Sequence, residues 1–289
     1  MRKSKIYPYL LILPAMAFLI TFFVYPMFNL CYLSLTDWNL IKVKKKFIGF
    51  QNYINLFGDK DFLQVVVNTL IYTVSVVTIV MLVSLVLAVW FNKNTKFDQF
   101  GQLAIFTPHI ISLVSISMVW LWLMDPDTGL LNFILELFGI PGSTWLQNSK
   151  TALISLAIVA SWQAIGYYTL IILSSLQSIP AEIYEAADLD NTGKFKKFFK
   201  ITLPMISPQL FFLLIVMTIG TFKAFDTVRI MTGGGPNNST NMLVYYIYDY
   251  AFINMKMGYA SAAGVVLLVI SSITTLLYFK GLSKKVHYQ

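Results

Sequence analysis

The chain has 289 residues, 57% of them hydrophobic and only 12% charged, with a mean hydropathy of +0.69. A soluble domain carries about 25% charged residues, so there is too little polar side chain to cover a water-facing surface, and a soluble enzyme or binding domain is excluded. The net charge of +8 does not point to nucleic acid, because the basic residues cluster at the ends of apolar runs.

A bilayer core needs about 20 apolar residues per helix. Runs at roughly 8–32, 63–92, 100–124, 151–177, 205–231 and 259–281 meet that length. None shows the alternation of a membrane β-barrel, and backbone groups in lipid must be satisfied internally. The expected fold is an all-α integral membrane protein of about six transmembrane helices, a single domain over 1–289.

The first run follows Met1-Arg2-Lys3-Ser4-Lys5, and Ala15-Met16-Ala17 faintly resembles a signal cleavage site. The apolar run continues to Leu35, which predicts an uncleaved first span carrying Pro14 and Pro26. In the next segment Phe50, Tyr53, Leu56 and Phe57 recur at helical spacing, predicting a short interfacial helix. Asn68-Thr69 opens span two, and a loop with Asn92, Lys93, Asn94 and Lys96 follows it. Span three contains Pro108 and ends in Trp120-Leu121-Trp122, an aromatic belt. Asp125 to Gly129 reads as a turn, and Leu130 to Ile140 as an apolar helix too short to span.

Spans four and five flank a charged segment, 179–204. Pro180 suits a first helical turn, and Glu182 favours the positive end of the helix dipole. Ala186-Ala187 offer a face with almost no bulk, and Asn191 stands where the helix must stop. Thr192 is the expected N-cap of a second helix, in which Phe195, Phe198, Phe199 and Thr202 form an apolar stripe among Lys194, Lys196, Lys197 and Lys200. Pro204 and Pro208 punctuate entry into span five. The Gly233-to-Thr240 loop, the interfacial tyrosines 245, 246, 248 and 250, and the small residues Gly258, Ala260, Ala262, Ala263 and Gly264 lead into span six, where the small side chains permit close helix packing.

With an even number of spans both termini share one side. Arg2, Lys3, Lys5, Lys280, Lys284 and Lys285 place it in the cytoplasm, as do Lys93, Lys96 and the lysines of the charged segment. Lys42, Lys44, Lys45 and Lys46 argue the other way. Cys31 is alone, so neither an intrachain disulfide nor a cysteine metal site is expected. His109 and His287 do not make a metal cluster. No metal, cofactor or catalytic residue is expected.

Charge and amphipathicity in segment 179–204 would also suit an ordinary connecting loop. Its register is more specific: Glu185-Ala186-Ala187, three residues, Asn191, nine residues, Ile201, then Leu203-Pro204. This resembles the coupling (EAA) loop of permease subunits of binding-protein-dependent ATP-binding-cassette importers, carbohydrate class, in which Gly stands at the Asn191 position. Asn is the next best residue for a left-handed helix end. Gln177-Ser178-Ile179-Pro180, Gly49-Phe50-Gln51-Asn52-Tyr53, Asn68-Thr69-Leu70, Gly129-Leu130-Leu131-Asn132, Gly234-Gly235-Pro236 with Ser239-Thr240, and Gly258-Tyr259-Ala260 look like further signatures of that family.

The resemblance implies a multi-pass subunit of a bacterial cytoplasmic membrane that forms half of a sugar pathway by alternating access. It implies a second, related permease chain, two ATPase subunits and an extracytoplasmic solute-binding protein as partners. The implied coupling residues are Glu185, Ala186, Ala187, Asp190, Asn191, Ile201, Leu203 and Pro204. The chain holds no Gly-x-x-x-x-Gly-Lys-[Ser/Thr] phosphate loop, so ATP hydrolysis is expected in a partner. For the pathway, Trp162, Gln163, Tyr167, Tyr168 and Thr169 supply aromatic faces and hydrogen-bonding groups for a sugar. Lys223, Asp226 and Arg229 are ionisable groups near the end of span five that line the pathway, pair with each other or snorkel. Lys223 and Arg229 would suit an anionic cargo such as glycerol phosphate. An ion-coupled secondary transporter would need paired carboxylates or histidines inside the spans, which are nearly absent.

Overall fold

The structure, a computed structural model, describes residues 7–41, 44–93 and 95–282. Expectations resting on Arg2, Lys3, Lys5, Lys42, Asn94, Lys284, Lys285 and His287 lie outside them. Among the described residues the chain is helical, and its one extended pairing is an isolated antiparallel bridge between Thr36 and Phe47.

Five helical stretches are long and apolar enough to cross a membrane: Tyr9–Ser34, Lys60–Lys93, Ala152–Gln177, Ser207–Met231 and Met257–Gly281. The sixth expected span, 100–124, is not straight. Helices α5 (Lys96–Ile110) and α6 (Leu113–Leu123), counted in chain order, meet at 100°. Extended backbone at Ile111 and Ser112, ψ 140° and 133°, breaks the helix three residues after Pro108. Counted as one broken span, the pair completes six crossings.

The first span is α1 (Tyr7–Leu19) and α2 (Tyr25–Ser34), joined by a π-helical turn at Ile20–Val24 just before Pro26. A second π turn, Phe198–Thr202, stands just before Pro204. Proline has no N–H to donate to the carbonyl four residues back, and a widened turn accommodates the lost bond without ending the helix. Helix α4 (Lys60–Trp90) has 31 residues, so at 1.5 Å per residue it is about 46 Å long and outreaches the hydrocarbon core.

Two compact units emerge from the contacts. The first comprises residues 1–63 and 246–269. Here α3 (Gln51–Gly58) is the expected short helix, but its buried face is Asn52 and Leu56, while Phe50 and Phe57 stay exposed. The Asn52 amide donates to the carbonyls of Ser34 (2.8 Å) and Thr36 (3.0 Å). Gly258, at the start of α15 (Met257–Leu282), lies so close to the Thr36 carbonyl that a Cβ would overlap it. The Tyr246 and Tyr259 hydroxyls donate to Asp59 Oδ2 at 3.3 and 3.4 Å. Burial pushes the Tyr246 phenol far up, so it remains a neutral donor. Tyr246 is thus a core residue and not the interfacial one the sequence suggests.

The second unit comprises 64–245 and 270–289. Its centre is the packing of α5 on α8 (Ala152–Gln177), where Gly166 meets the Ile105 carbonyl without room for a Cβ. The Asn68 amide donates to the carbonyls of Asn238 (2.9 Å) and Asn241 (3.1 Å), and Thr69 Oγ1 accepts from Leu243 N–H at 3.0 Å. These bonds tie the Gly-Gly-Gly-Pro loop to α4. Asn132, on α7 (Leu130–Leu137), donates to the carbonyls of Pro126 and Ser143, and its oxygen accepts from Ser143 N–H and Trp145 Nε1. Asp125 Oδ1 closes the preceding turn on Thr128 N–H, Thr128 Oγ1 and Asp127 N–H. Those donors, Thr128 N–H foremost, hold its carboxyl below the usual range. The turn therefore keeps this support above the ordinary carboxylate pKa and loses it as pH falls through the lowered value.

Replacing Asn68 by Ala orphans two carbonyls. Asn68→Ala is expected to lower stability by about 1–2 kcal/mol and to speed proteolysis of the 232–242 loop, whereas Leu70→Ala, at an exposed position, changes neither. Equal melting temperatures and cleavage rates for the two variants would contradict the pinning role.

Candidate coupling and pathway sites

Helix α9 (Ala181–Leu189) starts after Pro180, which occupies the N-cap and not the first turn. It ends in a Schellman arrangement. Asn191 has φ 51°, its N–H bonds the Asp188 carbonyl at 3.0 Å, and Thr192 N–H bonds the Ala187 carbonyl at 3.0 Å. Asparagine tolerates the left-handed conformation that a bulkier residue resists. Because Thr192 is consumed in this cap, the N-cap of α10 (Lys194–Lys197) is Gly193 and not Thr192. After the π turn and α11 (Leu203–Met205), α12 (Ser207–Phe222) opens with Pro208 in its first turn.

The two short helices carry opposite charge. α9 has Glu182, Glu185, Asp188 and Asp190; α10 and its extension have Lys194, Lys196, Lys197 and Lys200. An ion pair between Lys197 and Asp188 and a 3.1 Å hydrogen bond between the Tyr184 hydroxyl and Thr202 Oγ1 join them. Ala187 is buried against the chain, while Glu185, Ala186, Asp190 and Asn191 are exposed. Ile201, Leu203 and Pro204 are half-buried. The expected apolar stripe divides: Thr202 is buried, but Phe195 and Phe199 are 84% and 60% exposed, and Leu189 on α9 is 89% exposed. The segment therefore presents apolar side chains that its own chain does not cover.

The pathway candidates also separate. On α8, Trp162, Gln163 and Tyr167 are accessible, whereas Tyr168 and Thr169 turn into the packed interior. Thr169 Oγ1 donates to the Ile165 carbonyl, one turn back on its own helix. Gln163 Nε2 donates to the Ile111 carbonyl at 3.3 Å, at the break between α5 and α6. The Tyr167 ring stacks on His109 at 4.6 Å, and Trp162 meets Trp120 edge-on at 5.5 Å. His109, Ile111 and Ser112 were not singled out in sequence for this site. The signal available there was Pro108 and a serine inside an apolar run, the mark of a discontinuous membrane helix.

Lys223, Asp226 and Arg229 sit on a separate break. α12 ends at Phe222, and α13 (Asp226–Met231) restarts three residues beyond Lys223, which interrupts the helical i, i+3 relation expected of Lys223 and Asp226. Asp226 falls in the first turn of α13, Lys223 and Arg229 are exposed, and Arg229 donates to the Tyr245 hydroxyl at 3.5 Å. Residues from 232 lead on to α14 (Leu243–Tyr248).

The left-handed cap makes a directional prediction. Asn191→Gly should preserve thermal stability, while Asn191→Val, which costs about 1–2 kcal/mol in that conformation, should lower the melting temperature and speed proteolysis of segment 179–204. Equal melting and cleavage of the Gly and Val variants would show that the cap geometry is immaterial.

The family described as binding-protein-dependent transport system inner membrane component matches residues 60–286. A probable ABC transporter permease protein, YurN of Bacillus subtilis, is 38% identical over 96% of this chain and 96% of its own length. The sn-glycerol-3-phosphate transport system permease protein UgpA of Yersinia pestis is 33% identical, covering 98% of this chain and 96% of its own. The sulfoquinovosyl glycerol permease SmoG of Agrobacterium fabrum is 33% identical over 94% of this chain and 88% of its own. A chain of a bacterial alginate ABC transporter, solved in complex with an alginate pentasaccharide-bound periplasmic protein, shares the fold with TM-score 0.84 at 21% identity, covering 98% of this chain and 96% of that one. A multi-pass helical chain with this match over most of its length belongs to the binding-protein-dependent transport system inner membrane components: it is a permease subunit of an ABC importer and not an enzyme.

Proposed function

We propose that the chain acts as one permease domain of an ATP-driven sugar importer and receives its energy through segment 179–204. The observation that carries this reading is the paired helix of that segment: a rigidly capped acidic α9, cross-linked to a basic α10, with Leu189, Phe195 and Phe199 exposed. An apolar surface with charged margins suits a protein cleft. In this reading Glu185 meets a basic residue of an ATPase subunit, and the exposed Ala186 lets the partner backbone approach. Ile201, Leu203 and Pro204 carry the movement into α12. ATP stabilises the closed ATPase pair, and this differential binding shifts the permease between inward- and outward-open states.

In this reading six crossings put residues 178–206 on the cytoplasmic side, which the lysine distribution of the sequence supports. The partners are a related second permease chain, two ATPase subunits that hold the phosphate loops, and an extracytoplasmic binding protein. The sugar passes the break at Ile111 and Ser112, where Gln163, His109, Tyr167 and Trp162 offer an amide and aromatic faces at a discontinuous helix. A second reading, an anionic sugar derivative, draws support from the glycerol phosphate and sulfoquinovosyl glycerol named for two relatives and from the exposed Lys223 and Arg229.

Ala186→Trp fills the exposed small face without touching the core. The variant should insert and melt as the wild type does, yet lose ATP-driven uptake in proteoliposomes by about tenfold or more, the equivalent of at least 1.4 kcal/mol of coupling. Uptake at the wild-type rate would remove segment 179–204 from the coupling path.

A further inference from the structure

One cavity of the first unit is not used by either site described above. It has a volume of about 910 Å³ and is bounded within the first unit by the 36–41 segment, α3 and the start of α15. Ligand sites typically enclose about 300–1,000 Å³. Gln51, Asn55, Asp59, Trp38, Tyr250 and Tyr259 are among the residues that line it.

We infer that this cavity is a binding site for a neutral saccharide on the outer face of the permease. The inference rests on the sugar cargo and outward orientation proposed above. Planar amides donate and accept at once, as sugar hydroxyls do. Gln51 Nε2 and Asn55 Oδ1 are paired at 3.0 Å on one exposed face of α3, so both amides are pre-aligned. Tyr250 and Tyr259 lie 4.9 Å apart, and aromatic faces of this kind pack against the C–H face of a pyranose ring.

Asp59 is held in place by two tyrosine hydroxyls and by Asp61 N–H at 2.9 Å. Little ordering entropy therefore remains to be lost on binding. Among the described residues the cavity is lined by the carboxylates of Asp37 and Asp59 and the ammonium of Lys256, and Lys45 Nζ stands 4.3 Å from the ring of the wall residue Trp38. The lining thus holds no excess of cations for a phosphate or sulfonate, which favours an uncharged ligand. The centre of a protein–protein contact is apolar and poor in charge; this lining of amides and carboxylates is neither.

The test uses the assembled importer in lipid nanodiscs, without ATP and without binding protein. Maltotriose, cellotriose and raffinose are titrated by calorimetry, with sn-glycerol 3-phosphate as the anionic probe. At least one trisaccharide is expected to bind saturably, with affinity reduced about tenfold in both Tyr250→Ala and Asn55→Ala, and glycerol phosphate is expected not to bind at this site. Asn55 is exposed, so its variant keeps the test valid should loss of Tyr250 disturb folding. Failure of all three sugars to bind, binding unchanged in Asn55→Ala, or glycerol phosphate binding that is lost in Asn55→Ala would each overturn the inference. So would a result in which the variants weaken only the binding protein's docking. ATPase activity stimulated by the binding protein in the same nanodiscs reports on the importer reading separately. If it persists while no sugar binds, only the cavity assignment falls.

Discussion

A backbone carbonyl at membrane depth has no water to accept from, and every departure from helix in this chain must supply its own donor. In the connecting segments between the spans, buried asparagine side chains supply donors of the same kind. Asn52 serves the carbonyls of Ser34 and Thr36 where the first span ends; Asn68 serves those of Asn238 and Asn241 in the glycine-rich loop; Asn132 serves those of Pro126 and Ser143 around α7. Each amide has two N–H donors and can hold two acceptors at once, which hydroxyls cannot do. The connecting segments are thereby anchored to helices, and Asn52 and Thr36, joined by one of these bonds, line the cavity beside α3.

The same demand explains the irregular helices. Proline removes one donor, and the chain answers with π turns before Pro26 and Pro204 and with a full break after Pro108. At the break, Gln163 from α8 supplies the hydrogen bond that Ile111 would otherwise lack. A polar side chain in an apolar helix thus satisfies a backbone group of a neighbouring segment.

Segment 179–204 works by a different balance. Its helices are too short to be stable alone. They are held by the Schellman cap at Asn191, by the Lys197–Asp188 pair and by Tyr184 on Thr202. The exposed ion pair adds little energy. The buried Ala187 and the half-buried Ile201 and Leu203 root the pair in its own chain.

Much was legible in sequence. Hydropathy over about 20 residues identifies a membrane span because helix rise and bilayer thickness set that length, and the spacing from Glu185 to Pro204 singled out the segment that folds as a capped helix pair. The left-handed turn at Asn191 was legible for the same kind of reason, since few side chains tolerate it. Tertiary structure alone decided which faces are covered. The sequence cannot show that Tyr168 and Thr169 point inward while Trp162, Gln163 and Tyr167 do not, because a helix apolar on most sides has no amphipathic signal to read. Nor could it show that 100–124 bends by 100°, that Thr192 completes a cap instead of starting a helix, or that Tyr246 reaches Asp59. The covered faces, the bend and the Tyr246–Asp59 bond involve partners distant in the chain, of which local pattern carries no record; the Thr192 cap is a local bond to the Ala187 carbonyl that hydropathy does not encode.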